Sequence, residues 1–255
     1  MDLGGLLADA QPTGMKAVIL VGGAGTRMRP LTYVMPKCLL PVGGMPLLEW
    51  TIKYLSSHEI TEFVVCVAYL KRQIISTVGD GSRLGVSIQY AEAESPMGTA
   101  GQLKTAEPFI DGTFLAMNGD IVTSLNVRNL IRVHREGGGM ATLALKNFDV
   151  KVPYGHITTG HDSVIQRFEE KPTLHLMANA GIYVLEKSVF ASIPSGRPCS
   201  LETEVFPSLL ERGERLNSFY EDAYWNDVGT MGDFERVNDE FLSKQAGIGA
   251  AVPQA

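Results

Sequence analysis

Cysteine is scarce in this 255-residue chain: Cys38, Cys66 and Cys199 are odd in number and lie far apart. They make neither a disulfide framework nor a zinc-ligand spacing, so buried or incidental thiols in a reducing cytoplasm are expected. The five histidines, His58, His134, His156, His161 and His175, also lack ligand spacing. Core-edge or surface roles follow for them, rather than catalysis. No apolar run approaches the length that spans a bilayer, and the opening MDLGGLLADAQPTG lacks the basic n-region and long h-region of a secretory signal. A cytoplasmic protein with no membrane partner is expected. Positive charge is in deficit: 22 Lys and Arg against 28 Asp and Glu leave a formal net charge of −6. Broad nucleic-acid binding needs a positive field and is excluded. Any phosphate site must therefore be local, built from clustered Arg and Lys or from a bound cation. There is no repeat, low-complexity tract or long linker. No hexapeptide repeat follows residue 245, so an appended acyltransferase module is not expected.

What is present is the composition of a globular protein, 45% hydrophobic and 20% charged. A chain of this length buries roughly 70 to 75% of its unfolded surface and needs no disulfide or structural metal. The run KAVILV (Lys16 to Val21) is short, β-branched and uninterrupted, the pattern of a strand buried on both faces. Similar runs follow at Glu62 to Ala68, Val86 to Ala91, Thr113 to Asn118 and Met140 to Leu145. Between them lie helical patterns at Leu47 to Ser56, Leu70 to Val78, Thr99 to Glu107 and Val127 to Arg135. In the last, Val127, Leu130, Ile131 and His134 fall on one stripe. Strand alternating with helix predicts a mostly parallel sheet covered on both faces. After Leu145 the segments become shorter and more polar: GHITT, VIQRFEE, NAGIYVL, a helical ETEVFPSLLERG, and a final helix from about Met231 to Lys244. This half reads as a mixed α+β lobe.

The first strand runs directly into GGAGTRMRP, placing Gly22, Gly23 and Gly25 where backbone amides can approach a phosphate. Arg27, Arg29 and Lys37 follow closely. A P-loop would need GxxxxGK and then Ser or Thr, which is absent; a dinucleotide fingerprint needs GxGxxG, and Met28 occupies its third glycine. A tight turn after a core strand would explain the glycines. It would not explain three cations and two prolines in the same stretch.

The segment AVILVGGAGTRMRPLTYVMPKCLLPVGGMPLLEW resembles the signature of the sugar nucleotidylyltransferases. The resemblance continues in the family's order through GTAG (Gly98 to Gly101), NGD (Asn118 to Asp120), EEKP (Glu169 to Pro172), NAGIY (Asn179 to Tyr183) and WNDVGT (Trp225 to Thr230). It covers nearly everything from Met15 to about Ser243. It implies a three-layer α/β/α, Rossmann-like fold with a mostly parallel mixed sheet and a smaller sugar-binding lobe. Residues 1–14 would be a loose extension, 15–245 a single domain with its nucleotide-binding core mainly in 15–146 and its sugar lobe mainly in 147–230, and 246–255 a flexible tail.

The reaction so implied joins a nucleoside triphosphate to a sugar 1-phosphate, in line at the α-phosphorus, releasing pyrophosphate. Its nucleophile arrives ionised, so no Ser, Cys or His is needed to generate it. The work left is positioning two anions and neutralising developing charge, for which Arg, Lys and Mg²⁺ are suited. The resemblance assigns Arg27 to the triphosphate and leaving pyrophosphate and Lys37 to the phosphates at the reacting centre. Leu20, Gly22, Gly23, Gly25, Thr26, Gly98 and Thr99 would complete the nucleotide site. Asp120, after the strand FLAMN, lies at a carboxyl end where open α/β sheets hold ligands. With Asp227 it would hold Mg²⁺, a pairing the family pattern supplies; alone, each Asp would be an ordinary turn or cap residue. Glu170 and Lys171 resemble the pair that contacts sugar hydroxyls and sugar phosphate, although an isolated EEKP would read as a solvated charge cluster. Gly155, Asn179 and Trp225 resemble sugar-pocket residues, Trp225 with an equal claim to a half-buried packing role.

The stretch Glu92 to Gly101 resembles guanylyltransferases more than thymidylyltransferases, with Gly98 and Thr99 near the base. Together with NGDIVTSLN and FDVKVPYG, it points to GTP and a heptose or mannose 1-phosphate. Thymidylyl or uridylyl transfer to glucose 1-phosphate is the alternative. A non-catalytic regulatory subunit would have lost a reacting charge, yet Arg27, Lys37, Asp120, Lys171 and Asp227 are all present. A molybdopterin-type relative is disfavoured by the PLT-to-PK segment and by EEKP. The resemblance also implies a homo-oligomer.

Overall fold

The computed structural model describes residues 14–243. The loose extension expected at residues 1–14 falls outside them except for Gly14, as do the expected last residue of the final helix, Lys244, and the tail at 246–255. In chain order the strands are β1 (Ala17–Leu20), β2 (Pro41–Val42), β3 (Met45–Pro46), β4 (Glu62–Val67), β5 (Ser87–Glu92), β6 (Phe114–Asn118), β7 (Ile121–Thr123), β8 (Ala141–Lys151), β9 (His156–Thr159), β10 (Ile165–Glu169), β11 (Thr173–Leu185), β12 (Leu216–Tyr220) and β13 (Trp225–Asp227). The helices are α1 (Leu47–Ser56), α2 (Lys71–Val78), α3 (Gly98–Thr105), α4 (Val127–Gly137), α5 (Phe206–Glu211) and α6 (Met231–Leu242). None of the described helices is long and apolar enough to cross a membrane.

Seven strands form one sheet in the order β12-β8-β11-β6-β1-β4-β5. Every pairing in it is parallel except those of β11, which runs against both β6 and β8. Alternate side chains of β1 divide between two cores, as a strand's two-residue period requires. Ala17 and Ile19 join Leu48, Ile52 and Leu55 of α1, Ile74 of α2 and Leu130 of α4. Val18 and Leu20 join Ala100 and Leu103 of α3 and Phe206 and Leu209 of α5. Helices therefore cover both faces, giving the three layers expected. Each fully buried Leu or Ile contributes roughly 1.5–3 kcal/mol to this arrangement.

Helix α4 shows how local sequence sets an element. Asn126 caps its start by accepting from the Asn129 amide at 3.2 Å, the stripe Val127, Leu130, Ile131 and His134 is buried, and Gly138 follows its end at positive φ. His134 lies deeper than a core-edge residue: it is 2% exposed, with Nδ1 2.9 Å from Thr142 Oγ1 and Nε2 3.0 Å from Glu186.

Two elements differ from their sequence patterns. The strand expected to end at Leu145 continues to Lys151, where Asn147 to Lys151 pair with Thr173 to Met177 in a solvent-exposed arm. Polar and apolar residues alternate along it, yet Phe148, Leu174, Leu176 and Met177 are exposed. The helical ETEVFPSLLERG begins as a wide π-type turn over Leu201–Val205 before α5. Pro207 has no amide to donate to Thr203 O, the Phe206 amide reaches back to Leu201 O, and Ser200 Oγ caps the start by accepting from the amides of Glu202 and Thr203.

Candidate active site

The carboxyl ends of β1 and β6 open onto a cleft of about 270 Å³, and the loop after β1 forms its floor. Just past β1 the Val21 amide still donates to Cys66 O of β4 at 3.1 Å, while the next amide, Gly22, donates to the side-chain oxygen of Gln102 at 2.7 Å. At Gly25 the backbone turns left-handed, with φ of 58°, and Thr32 Oγ1 ties its carbonyl at 2.8 Å; a Cβ there would sit 2.9 Å from Thr32 Cγ2. The turn is thus fixed by packing from Thr32 and by glycine's conformational range. It lifts Thr26 and Arg27 to the rim.

Asp120 follows β6 in the turn that leads to β7. Its carbonyl accepts from the Val228 amide at 2.9 Å, and β7 pairs with β13 so that Ile121 stands opposite Asp227. This short ladder brings together two aspartates that are 107 positions apart in the chain. Lys37 Nζ bonds the Asp120 carboxylate within the same cleft. Both terminal nitrogens of Arg27 and Asp227 Oδ2 lie within 3.4 Å of the point where a side chain at Gly229 would begin, so guanidinium and carboxylate share the space this glycine leaves open. Burial first, then the negative charge of Asp120, raises the Asp227 carboxyl above its ordinary value, against the pull of Lys37 and Arg27. Asp227 Oδ1 and Asn118 Oδ1 are buried with no hydrogen-bond partner.

Those orphaned oxygens, beside two neighbouring carboxylates, fit a small hard cation. No group of three His, Cys, Asp or Glu residues among the described ones could hold a metal. Any cation here would have at most these two carboxylates from the protein and would need further oxygens from its ligand, a donor set compatible with Mg²⁺. Cys38 also lines the cleft, but burial pushes its thiol up to about 12, which removes it as a nucleophile at neutral pH.

Of the nucleotide-site residues expected from sequence, Leu20, Gly23, Gly25, Thr26, Arg27, Lys37, Thr99 and Asp120 line this cleft. Gly22 sits behind it on Gln102, and Gly98 starts α3 against the Cys199 carbonyl. Gln102, Asn118 and Gly229 line it without having been nominated. A signal for Gln102 exists: it stands three residues after Thr99 on α3, hence on the same helical face, and is a polar residue on a buried stripe. Behind Thr99 lies a chain of bonds. Its Oγ1 donates to Glu202 at 2.6 Å and accepts from the Leu201 amide; Ser200 Oγ and the Tyr183 hydroxyl also donate to Glu202, at 2.8 and 3.1 Å; and Asn179 Nδ2 donates to Tyr183 at 2.8 Å.

A second cavity of about 480 Å³ adjoins the first, with Asp227 in its wall alongside Asn179, Trp225, Lys146 and Arg236. The expected sugar-pocket residues Asn179 and Trp225 meet here. Gly155 and Glu170 are neighbours, with Glu170 Oε2 3.0 Å from where a Cβ on Gly155 would lie. Lys171 occupies the exposed turn before β11 with φ of 47°. These three lie outside the walls of both cavities.

Residues 16–244 match the family described as Nucleotidyl transferase. The chain belongs to that family. Among curated relatives of this nucleotidyl transferase, a mannose-1-phosphate guanylyltransferase of Mycobacterium tuberculosis is 36% identical over 232 residues, covering 89% of this chain and 64% of that protein. A UTP–glucose-1-phosphate uridylyltransferase of Synechocystis sp. is 33% identical over 249 residues, covering 91% and 64%. The chain thus spans a little under two thirds of the length of these relatives. Among solved structures, HddC from Yersinia pseudotuberculosis, complexed with GMP-PN, superposes with a TM-score of 0.71 at 24% identity, over 89% of this chain and 99% of that one. That similarity establishes the fold.

Proposed function

We propose that this nucleotidyl transferase moves a nucleotidyl group from a nucleoside triphosphate, GTP by preference, to a sugar 1-phosphate of the heptose or mannose type. The products are the nucleoside diphosphate sugar and pyrophosphate. One observation carries the proposal: Asp227, 107 positions from Asp120, is brought beside it and Arg27 at Gly229, on the edge of the cleft that Arg27, Lys37 and Asp120 line above the glycine turn. That is a site for polyanions and a divalent cation, with no activated side-chain nucleophile. The sugar-phosphate oxygen would attack the α-phosphorus directly, so the protein's task is alignment and charge neutralisation.

In this reading the Gly23-to-Thr26 backbone and the Arg27 guanidinium hold the triphosphate, and Arg27 takes up charge on the departing pyrophosphate. A guanidinium suits this as a rigid fork of donors. Lys37 supplies a compact charge near the α-phosphate. Asp120 and Asp227 would hold Mg²⁺, which when bound neutralises phosphoryl oxygens as a Lewis acid. Thr99 and Gln102 bound the base end, and the cavity at Asn179 and Trp225 receives the sugar.

A panel crossing five nucleoside triphosphates with mannose, heptose and glucose 1-phosphates, read by pyrophosphate release with and without Mg²⁺, tests this. Turnover with GTP and a mannose or heptose 1-phosphate, lost in chelator, is expected. Turnover restricted to UTP or dTTP with glucose 1-phosphate would instead establish the second reading, which the Synechocystis relative supports. No turnover from any combination would refute both.

A further inference from the structure

The cavity beside Asp227 holds a positive charge to which the sequence signature gives no role. Lys146 and Phe148 project from the same side of β8, being two residues apart, and Trp225 and Asp227 do so from β13. The Trp225 indole is fixed by its own bond, Nε1 donating to Ala180 O at 2.9 Å. Against this plate the Lys146 ammonium lies 3.8 Å from the ring centroid, and 5.4 Å from that of Phe148. The other cation of the cavity, Arg236, is already engaged by Asp233 and Asn226, both at 2.9 Å. Lys146 has no such partner: none of the ion pairs among the described residues includes it. It is half-buried, and burial followed by the repulsion of Arg236 lowers its pKa while Asp227 opposes the shift. A partly desolvated cation with no carboxylate in ion-pair contact is costly to keep. An anionic ligand in the cavity would offset that cost.

We infer that Lys146 anchors the phosphate of the acceptor sugar 1-phosphate from the Trp225 side of Asp227. The inference rests on the nucleotidyl-transfer reading only for the identity of the acceptor. Trp225 in contact with Lys146 also provides the signal: binding is read by tryptophan fluorescence with mannose 1-phosphate, glucose 1-phosphate and unphosphorylated mannose. The variants are Lys146→Met, which keeps the aliphatic packing on Trp225, Lys146→Arg, which restores the charge, and Lys151→Met, a charge removed from the opposite side of the same strand. A saturating change with a sugar 1-phosphate is expected for the wild type. Its Kd should rise about tenfold to a hundredfold in Lys146→Met, the range of a lost charge-assisted hydrogen bond. Lys146→Arg should recover most of the loss, Lys151→Met should leave Kd within about twofold, and unphosphorylated mannose should not distinguish the proteins. Calorimetric melting shows that each variant is folded. Equal affinity in wild type and Lys146→Met, an equal loss in Lys151→Met, or no response of the wild type to either sugar phosphate would overturn the inference. Binding that depends on Lys146 without turnover for any nucleotide would keep it and reject the reaction instead.

Discussion

Replacing Asp227 with asparagine separates two effects that run in opposite directions. The carboxyl is raised by burial and by Asp120, so it holds its proton more tightly folded than unfolded. For such a group the metal-free protein loses stability as pH rises from about 4, the unfolded value, through the raised folded one. At pH 7 the chelated wild type bears that penalty, and the asparagine variant, with the charge gone, does not. In chelator at pH 7 Asp227→Asn should therefore melt above wild type, and the gap should close below about pH 4 as the wild-type carboxyl protonates. Added Mg²⁺ reverses the order. At a hundred times its dissociation constant it stabilises the wild type by about 2.7 kcal/mol. For a domain of this size, that raises Tm by roughly 5–11 °C, at about 2–4 °C per kcal/mol. The variant, left with one carboxylate, should gain little, and its turnover should fall about a hundredfold to a thousandfold, the cost of one preorganised electrostatic group. Differential scanning calorimetry across pH and metal, with pyrophosphate release at saturating substrates, measures both. A variant that melts below wild type in chelator, or that keeps the full Mg²⁺ response, would refute the shared site.

Arg27 is exposed at the rim, so Arg27→Ala should unfold at the wild-type temperature yet lose about 3–4 kcal/mol of transition-state stabilisation; near-full kcat would remove it from the mechanism. Glu202→Ala strips three side-chain donors, Thr99, Ser200 and Tyr183, of their common acceptor. A loss of about 1–3 kcal/mol in urea denaturation is expected, with a raised KM for the nucleotide through Thr99, and unchanged values of both would show the cluster to be incidental. Gly98 combines φ of 69° with a position where a Cβ would run into the Cys199 carbonyl. Gly98→Ala should be destabilised by more than about 1 kcal/mol, and thermal stability equal to wild type would contradict that backbone assignment.

The parallel core was legible because burial on both faces leaves a simple trace, an uninterrupted apolar run ending in glycine, as at Lys16 to Val21. Helix α4 was equally plain from its stripe of Val127, Leu130, Ile131 and His134. The exposed arm was harder to see, since β8 past Leu145 and β11 before Asn179 face water on both sides and their alternation has no core to report. The π-type turn at Leu201 depends on bonds to Ser200 and Thr99, and the latter lies 102 positions away. Within the site, the cations and carboxylates stood out by chemical type. Gln102 and Asn118 did not, because an amide's role depends on which backbone it meets. Lys146 becomes conspicuous only once Trp225, 79 positions later, is seen beneath it. Gly229 matters by absence of a side chain, which sequence does not display.

The ladder between Ile121 and Asp227 also sets an order in synthesis for the divalent-ion site proposed above. The four parallel strands β6-β1-β4-β5 all precede residue 225 in the chain, so Asp120 is made well before the strand that brings Asp227 beside it. Competence for a divalent ion would then come late in translation, only once β13 can pair with β7.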